Sequence, residues 1–334
     1  MIMEIQRESI LFTGIRAFFR VCLGTFGLAV ALFVLLILYG MFAGSQAVVE
    51  NTRIHIEPDA NGNRVALAST TPVVLRINID GAIGTIGTNA KNIKRQLDDS
   101  QGFSLKKGRV KAIFLHINTP GGDATQSDDI YRYLMAYKQE YKVPVYAFVD
   151  GLCASGGMYA ACGADKIFSS PTSVIGSVGV LMGPNFNFYD VMEKYGIKEK
   201  TITRGKDKVV LSSYQQWKPD ETASLDPLIT YLYDRFVSIV SKSRPLISES
   251  ELKNEYGARI FDAPKAQSLG YIDVADSSYE QAMSELTKAA KIDGAYQVIH
   301  LVPDRPIFQE FIHKPSSILK QMFQGEPSFE YRMQ

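Results

Sequence analysis

Cysteine is scarce: 334 residues hold three, at positions 22, 153 and 162. That is too few for a disulfide scaffold, and the spacing is not the paired one of a structural zinc site. No charge sign is in excess either, with 36 basic side chains against 35 acidic ones and a net charge of +1. A nucleic-acid partner would normally show as a basic surplus, so none is expected. Internal repeats and low-complexity tracts are absent, and the 46% apolar content excludes intrinsic disorder. No GxxxxGK[ST] phosphate loop occurs, and no metal or nucleotide cofactor is implied. What is present is enough chain to bury a sizeable core, in one large domain or two ordinary ones.

The apolar residues are unevenly spread. From Val21 to Ala43 run 23 uncharged residues, VCLGTFGLAVALFVLLILYGMFA. As a helix they would span about 34 Å, against a hydrocarbon core of about 30 Å. A buried core helix is rarely so long or so apolar all round. A cleaved signal peptide is the stronger rival, because Ala43-Gly44-Ser45 offers small residues to a peptidase. The run exceeds the ~7–15 residues of a signal h-region, however, which favours an uncleaved transmembrane anchor. Arg7, Arg16 and Arg20 precede the span and no Lys or Arg follows until Arg53. The positive-inside rule then keeps residues 1–20 cytoplasmic and puts the rest on the periplasmic or extracytoplasmic side of the inner, cytoplasmic membrane.

Residues 44–71 are polar and turn-rich around Asp59-Ala60-Asn61-Gly62-Asn63, and are expected to form a tether. A β/α alternation starts at Pro72. Apolar runs at 73–79, 110–117 and 143–149 suit buried strands. Helical patterns lie near 88–99 and 124–141, the latter with Ile130, Leu134, Tyr137 and Tyr141 at helix spacing. Further helices are expected near 219–243, 248–256, 263–269 and 278–290. The alternation predicts an α/β fold, a mostly parallel sheet with helices on its faces, over residues 72–300. Residues 301–334, with Pro303, Pro306 and Pro315, are expected to be a loosely packed tail.

Two glycine-rich turns follow strands. Asn118-Thr119-Pro120-Gly121-Gly122-Asp123 can aim backbone N–H groups at a developing oxyanion, although Pro-Gly-Gly alone also fits a plain strand-to-helix turn. In Asp150-Gly151-Leu152-Cys153-Ala154-Ser155-Gly156-Gly157, Ser155 falls where a strand ends and a helix over 155–163 begins. A serine there is most often a helix cap. The same place gives a nucleophile a positive helix end and uncrowded access. The Gly156 N–H would complete an oxyanion hole with that of Gly121 or Gly122.

A serine nucleophile needs a base, and histidine is in short supply. The four are His55, His116, His300 and His313, none of them between the Ser155 turn and residue 299. His116, inside a strand, is expected to pack against the sheet. Lysine is the other established activator, once burial favours its neutral form.

With INTPGGD (117–123), ASGGMYAACGADKIFSSPTSVIGSVGV (154–180), RGKDK (204–208) and ARIFDAPKAQSLGYID (258–273) in this order, the chain resembles the signal peptide peptidase A family over about residues 72–280. These are membrane-anchored serine–lysine proteases of the Clp/crotonase-like superfamily, peptidase family S49, in its half-length form. The resemblance implies a Clp/crotonase-like superhelix of ββα units behind one transmembrane helix. Ser155 then matches the nucleophile, Lys208 of the GxxK motif the base, and Ser177 a serine that holds the lysine. Gly122 and Gly156 match the oxyanion donors. Lys206 is the competing base. Thr119 stands where serine is usual, and Cys153 and Cys162 replace small apolar residues as core thiols that an oxidising compartment would allow to pair.

The implied activity is hydrolysis of hydrophobic peptides such as spent signal peptides, without a cofactor. The implied assembly is a dome-shaped homo-oligomer, an octamer, in which one subunit's lysine serves its neighbour's serine. The rivals are a non-catalytic membrane scaffold of the same fold and a crotonase-like acyl-CoA enzyme, the latter disfavoured because an exported domain meets little CoA.

Overall fold

The computed structural model describes residues 10–43, 52–85, 87–102, 105 and 108–303, with backbone alone at 10–15, 36–43 and 303. The chain divides between Asn51 and Thr52 into two compact units. The first carries helix α1, Ile10–Ala43. Its residues 16–35 are long and apolar enough to cross a membrane. Phe18, Leu23 and Phe26 are 65%, 67% and 69% exposed.

The second unit begins with β1 (Thr52–Glu57), β2 (Val73–Asp80), α2 (Ala90–Asp99), β3 (Val110–Thr119), α3 (Ala124–Tyr141), β4 (Val145–Ala154) and α4 (Gly156–Ala161). It continues with β5 (Lys166–Ser169), β6 (Val174–Gly176), α5 (Tyr189–Lys194), α6 (Asp226–Ser243) and α7 (Glu249–Glu251), which runs into a π-helical turn at Leu252–Tyr256. Then come β7 (Ile260–Asp262), α8 (Ala263–Leu269), α9 (Tyr279–Ala289) and β8 (Gln297–Pro303). The strands form one sheet in the order β1-β8-β2-β3-β4-β6-β7, with β5 also on β4. All pairs are parallel except the two at the edges, β1 with β8 and β6 with β7. This is the expected α/β class.

The central strands read as nearly continuous apolar runs because helices cover both faces. Leu75, Ile77 and Ile79 of β2 and Ile113, Leu115 and Ile117 of β3 face the larger core, with Ile130 and Leu134 of α3. Val74, Ala112, Phe114 and Phe148 point the other way, under Ala282, Met283 and Leu286 of α9. Four of the helices in this unit start at a side-chain cap: Asn89, Asp123, Asp262 and Ser278 each accept a first-turn N–H for α2, α3, α8 and α9.

Three expected boundaries move. Residues 52–57 lie in the presumed tether, yet they pair antiparallel with β8 from Thr52 opposite Pro303 to Glu57 opposite Val298. The following stretch is also fixed: Tyr296 accepts from the Ala60 N–H at 2.8 Å, and Arg109 donates to the Thr71 carbonyl at 2.7 Å. The domain therefore starts at Thr52, and the alternation in TRIHIE belongs to an edge strand. The domain also continues past residue 300 into the presumed tail, because β8 runs to Pro303. Helix α6 starts at Asp226 and not near 219: Pro227 sits in its first turn, where a missing N–H costs nothing, and turns occupy the residues before it. Residues 44–51 and 304–334, with His313, lie outside the described residues.

His116 packs inside the sheet as expected, its ring against Phe148 and Tyr279. His300 of β8 faces the same side, with Asn78, Arg76, His55 and Glu57 around it. Burial, then the charges of Arg76 and His55, push its pKa down to about 4. An unfolded chain takes up that proton near pH 6.5, so stability should fall as pH drops from about 6.5 toward 4. Urea midpoints at pH 7 and pH 5 check this, and His300→Gln should flatten the difference.

Candidate active site

The site forms where β3 and β4 end side by side, Thr119 paired with Cys153. Each strand passes to its helix through one of the glycine-rich turns. Asn118 joins them, its Oδ1 accepting the Leu152 N–H at 3.2 Å.

Ser155 has φ 53° and ψ −119°, a region that non-glycine residues avoid and that costs about 1–3 kcal/mol. Two hydrogen bonds hold it there. Its N–H donates to the Gly176 carbonyl at 3.0 Å, and its carbonyl accepts from the Tyr159 N–H at 3.0 Å. Its side chain makes no capping bond to α4, so the ordinary reading of a serine at a helix start does not apply. The half-buried hydroxyl has no hydrogen-bond partner among the described residues.

The turn after β3 touches the turn after β4 directly. A Cβ placed on Gly121 would lie 2.6 Å from the Gly156 nitrogen and 2.8 Å from the Ser155 Cβ. On Gly156 it would lie 2.2 Å from Ser127 Oγ on α3. Only glycine permits this approach. The two candidate donors of the first turn also separate. The Gly121 N–H is used, donating to Thr119 Oγ1 at 3.0 Å, while that hydroxyl donates to the Gly81 carbonyl at 2.6 Å. Gly121 therefore supplies shape and not a donor. The N–H groups of Gly122 and Gly156 make no hydrogen bond among the described residues.

Ser177 arrives from the neighbouring strand. Ala154 pairs with Gly176, so Ser155 and Ser177 are each the first residue beyond paired strand ends. Ser177 also has positive φ, 55°, and its N–H donates to the Arg259 carbonyl at 2.7 Å. Lys208 makes no hydrogen bond to either serine among the described residues. It is exposed, in a segment from about 181 to 225 whose hydrogen bonds are largely internal, such as Phe188 N–H to the Ser213 carbonyl at 2.7 Å. Lys206 lies beside it, equally exposed. Large apolar side chains on this segment face outward, Leu181 at 82%, Ile202 at 79% and Tyr195 at 71% exposure.

Cys153 and Cys162 are separate, buried thiols and not a disulfide. Burial pushes the Cys162 thiol up to about 11 and raises Cys153 as well. Raised thiols of this kind are held in the unreactive, protonated form.

Sequence reasoning missed one cluster beside the turn. Asp128 of α3 accepts from the Tyr159 hydroxyl at 2.6 Å, from Arg235 Nε at 2.9 Å and Nη2 at 2.6 Å, and from Arg132 Nε at 2.8 Å. No spacing rule links positions 128, 159 and 235. The available signal was Tyr159 itself, a polar-tipped aromatic in a short helix of glycine, alanine and methionine.

A strained serine at the carboxyl edge of a parallel sheet, beside two N–H groups without partners among the described residues, fits the Clp-protease class of α/β domains. The Clp protease family model matches residues 87–176, from the approach to α2 through β6. The model for peptidase family S49 matches residues 137–293, and the chain belongs to that family. It is accordingly a protease. A protein of Synechocystis sp. assigned as a protease is 33% identical over 205 residues, 61% of this chain and 70% of its own length. A protein of Enterococcus faecium assigned as signal peptide peptidase SppA is 28% identical over 255 residues, 76% of this chain and 71% of its own. The chloroplastic serine protease SPPA of Arabidopsis thaliana is 27% identical over 250 residues, 74% of this chain but 34% of its own.

The close approach gives a direct test. Gly121→Ala should abolish peptide hydrolysis and lower the melting temperature, whereas Gly62→Ala, with open space around its Cβ but a φ of 79°, should cost some stability and leave hydrolysis unchanged. Peptidase assays and thermal melts on both variants check the contrast.

Proposed function

We propose that this chain is a membrane-anchored serine endopeptidase with a Ser155/Lys208 dyad. The observation that carries the reading is the strained, uncommitted Ser155 hydroxyl beside the unpaired N–H groups of Gly122 and Gly156. The neutral amine of Lys208 takes the Oγ proton as Oγ attacks the peptide carbonyl. The oxyanion accepts from the Gly122 and Gly156 N–H groups. The tetrahedral adduct collapses, the leaving amine takes the proton from the lysine, and water hydrolyses the acyl-enzyme. Ser177 holds the lysine amine in line.

A lysine accepts a proton near neutral pH only where its surroundings disfavour the ammonium form. Lys208 is exposed on the single chain, so a second copy must supply the cover. The exposed apolar side chains of its segment suit such a contact. The dyad is thus shared in a homo-oligomer, one chain's Lys208 meeting its neighbour's Ser155. The substrates are hydrophobic peptides at the membrane, spent signal peptides among them. Helix α1 is an uncleaved anchor in the inner membrane, with the arginines on the cytoplasmic side and the catalytic domain on the extracytoplasmic side.

Ser155→Ala should remove all hydrolysis and all labelling by a fluorophosphonate while leaving the circular dichroism spectrum unchanged. Lys208→Ala should be as inactive, and Lys206→Ala should keep substantial activity. Loss at Lys206 alone reverses the assignment. Mixing Ser155→Ala chains with Lys208→Ala chains should restore part of the activity, because some mixed sites hold both residues. No recovery in oligomers shown by mass spectrometry to be mixed would overturn sharing and leave the dyad standing.

Topology has its own measurement. Protease added to sealed inverted vesicles should spare residues 52–303, and cleavage there would refute the orientation.

A further inference from the structure

The Asp128 cluster joins three elements that the proposed chemistry needs in register. Helix α3 starts directly after the Gly121-Gly122 turn and carries Asp128. Helix α4 starts at Gly156, directly after Ser155, and carries Tyr159. Helix α6 carries Arg235 and is the first long element after the segment that holds Lys208. One carboxylate accepts from both of the others, at 2.6 Å from Tyr159 and at 2.6 and 2.9 Å from Arg235. The Tyr159 ring is nearly buried, 4.8 Å from Phe236 of α6 and 5.9 Å from Tyr131 of α3 between centroids. The Tyr159 N–H is itself the donor that holds the Ser155 carbonyl.

We infer that Asp128 and Tyr159 are positioning residues that set the distance between the two oxyanion donors, Gly122 and Gly156. The inference rests on the reading of Ser155 as nucleophile. Gly156 opens α4 and Gly122 lies just before the Asp123 cap of α3, and the two helices meet at glycine-tight range, where Gly156 lies against Ser127. Steric contact limits how closely α3 and α4 approach, but it does not stop them from sliding or separating. The Tyr159–Asp128 hydrogen bond supplies that restraint one turn inside both helices. Burial works against the Asp128 carboxylate, yet the hydrogen bonds from Tyr159, Arg235 and Arg132 outweigh it and hold its pKa below the ordinary value. Asp128 therefore stays an anionic acceptor, which makes a short, charge-assisted bond.

Tyr159→Phe removes one oxygen and keeps the ring packing. In the full-length protein it should lower kcat per titrated Ser155 about tenfold, leave KM within about twofold, and slow fluorophosphonate labelling of Ser155 in parallel. Asp128→Asn, which keeps an acceptor for the Tyr159 hydroxyl, should retain more activity than Asp128→Ala. A purely structural role would lower the melting temperature of Tyr159→Phe while leaving kcat per titrated site and labelling rate at wild-type values. That result overturns the inference even if Asp128→Ala fails to fold. A wild-type protein that the fluorophosphonate does not label at Ser155 overturns the nucleophile itself, and the positioning role with it.

Discussion

The whole site depends on two backbone turns coming closer than a single methyl group would allow. Gly121 lies against Ser155 and Gly156, and Gly156 lies against Ser127. That contact requires parallel neighbours ending at the same level, which the register of Thr119 with Cys153 provides. It also requires each strand to hand over to a helix within a turn of four residues or fewer. The apolar cores on both faces of the sheet keep β3 and β4 in that register, so the chemistry is a consequence of ordinary packing several residues away.

Much of this was legible in the sequence, for reasons that can be named. The runs at 110–117 and 143–149 are apolar on both faces, and that signals a covered parallel strand. Ile130, Leu134 and Tyr137 mark the buried stripe of α3 because helix spacing brings them onto one side. Ser155 stood out by its place between a strand and a helix among small residues. Strands β5, β6 and β7 were not legible, since four, three and three residues show no period. Strand β1 was hidden differently: its partner, β8, lies some 240 residues further on, and polar turn residues follow it. The division of labour between Gly121 and Gly122 was also invisible, because it depends on where the Thr119 hydroxyl points. The choice between Lys206 and Lys208 rests on motif register, and both are exposed on a single chain.

The strain at Ser155 and Ser177 has a common origin. Both follow directly on the paired residues Ala154 and Gly176, and both are pinned by backbone hydrogen bonds to a neighbouring segment, Ser155 to Gly176 and Ser177 to Arg259. The sheet therefore carries the conformational cost of two left-handed residues at one spot. Concentrating such residues at a single edge is how a rigid scaffold presents two hydroxyls that make no hydrogen bond among the described residues.

The edge formed by β1 and β8 has a mechanical meaning. Thr52, where the described domain begins, pairs with Pro303, where it ends, in an antiparallel ladder. Tension applied at Thr52 away from the domain would load that ladder one rung at a time, in an unzipping geometry with low resistance. The strand would peel from β8 while β2, β3 and β4 stayed paired. A pull at this end would thus be absorbed at the far margin of the sheet, with β8, β2 and β3 between it and β4, and would be spent before it reached the turn that holds Ser155.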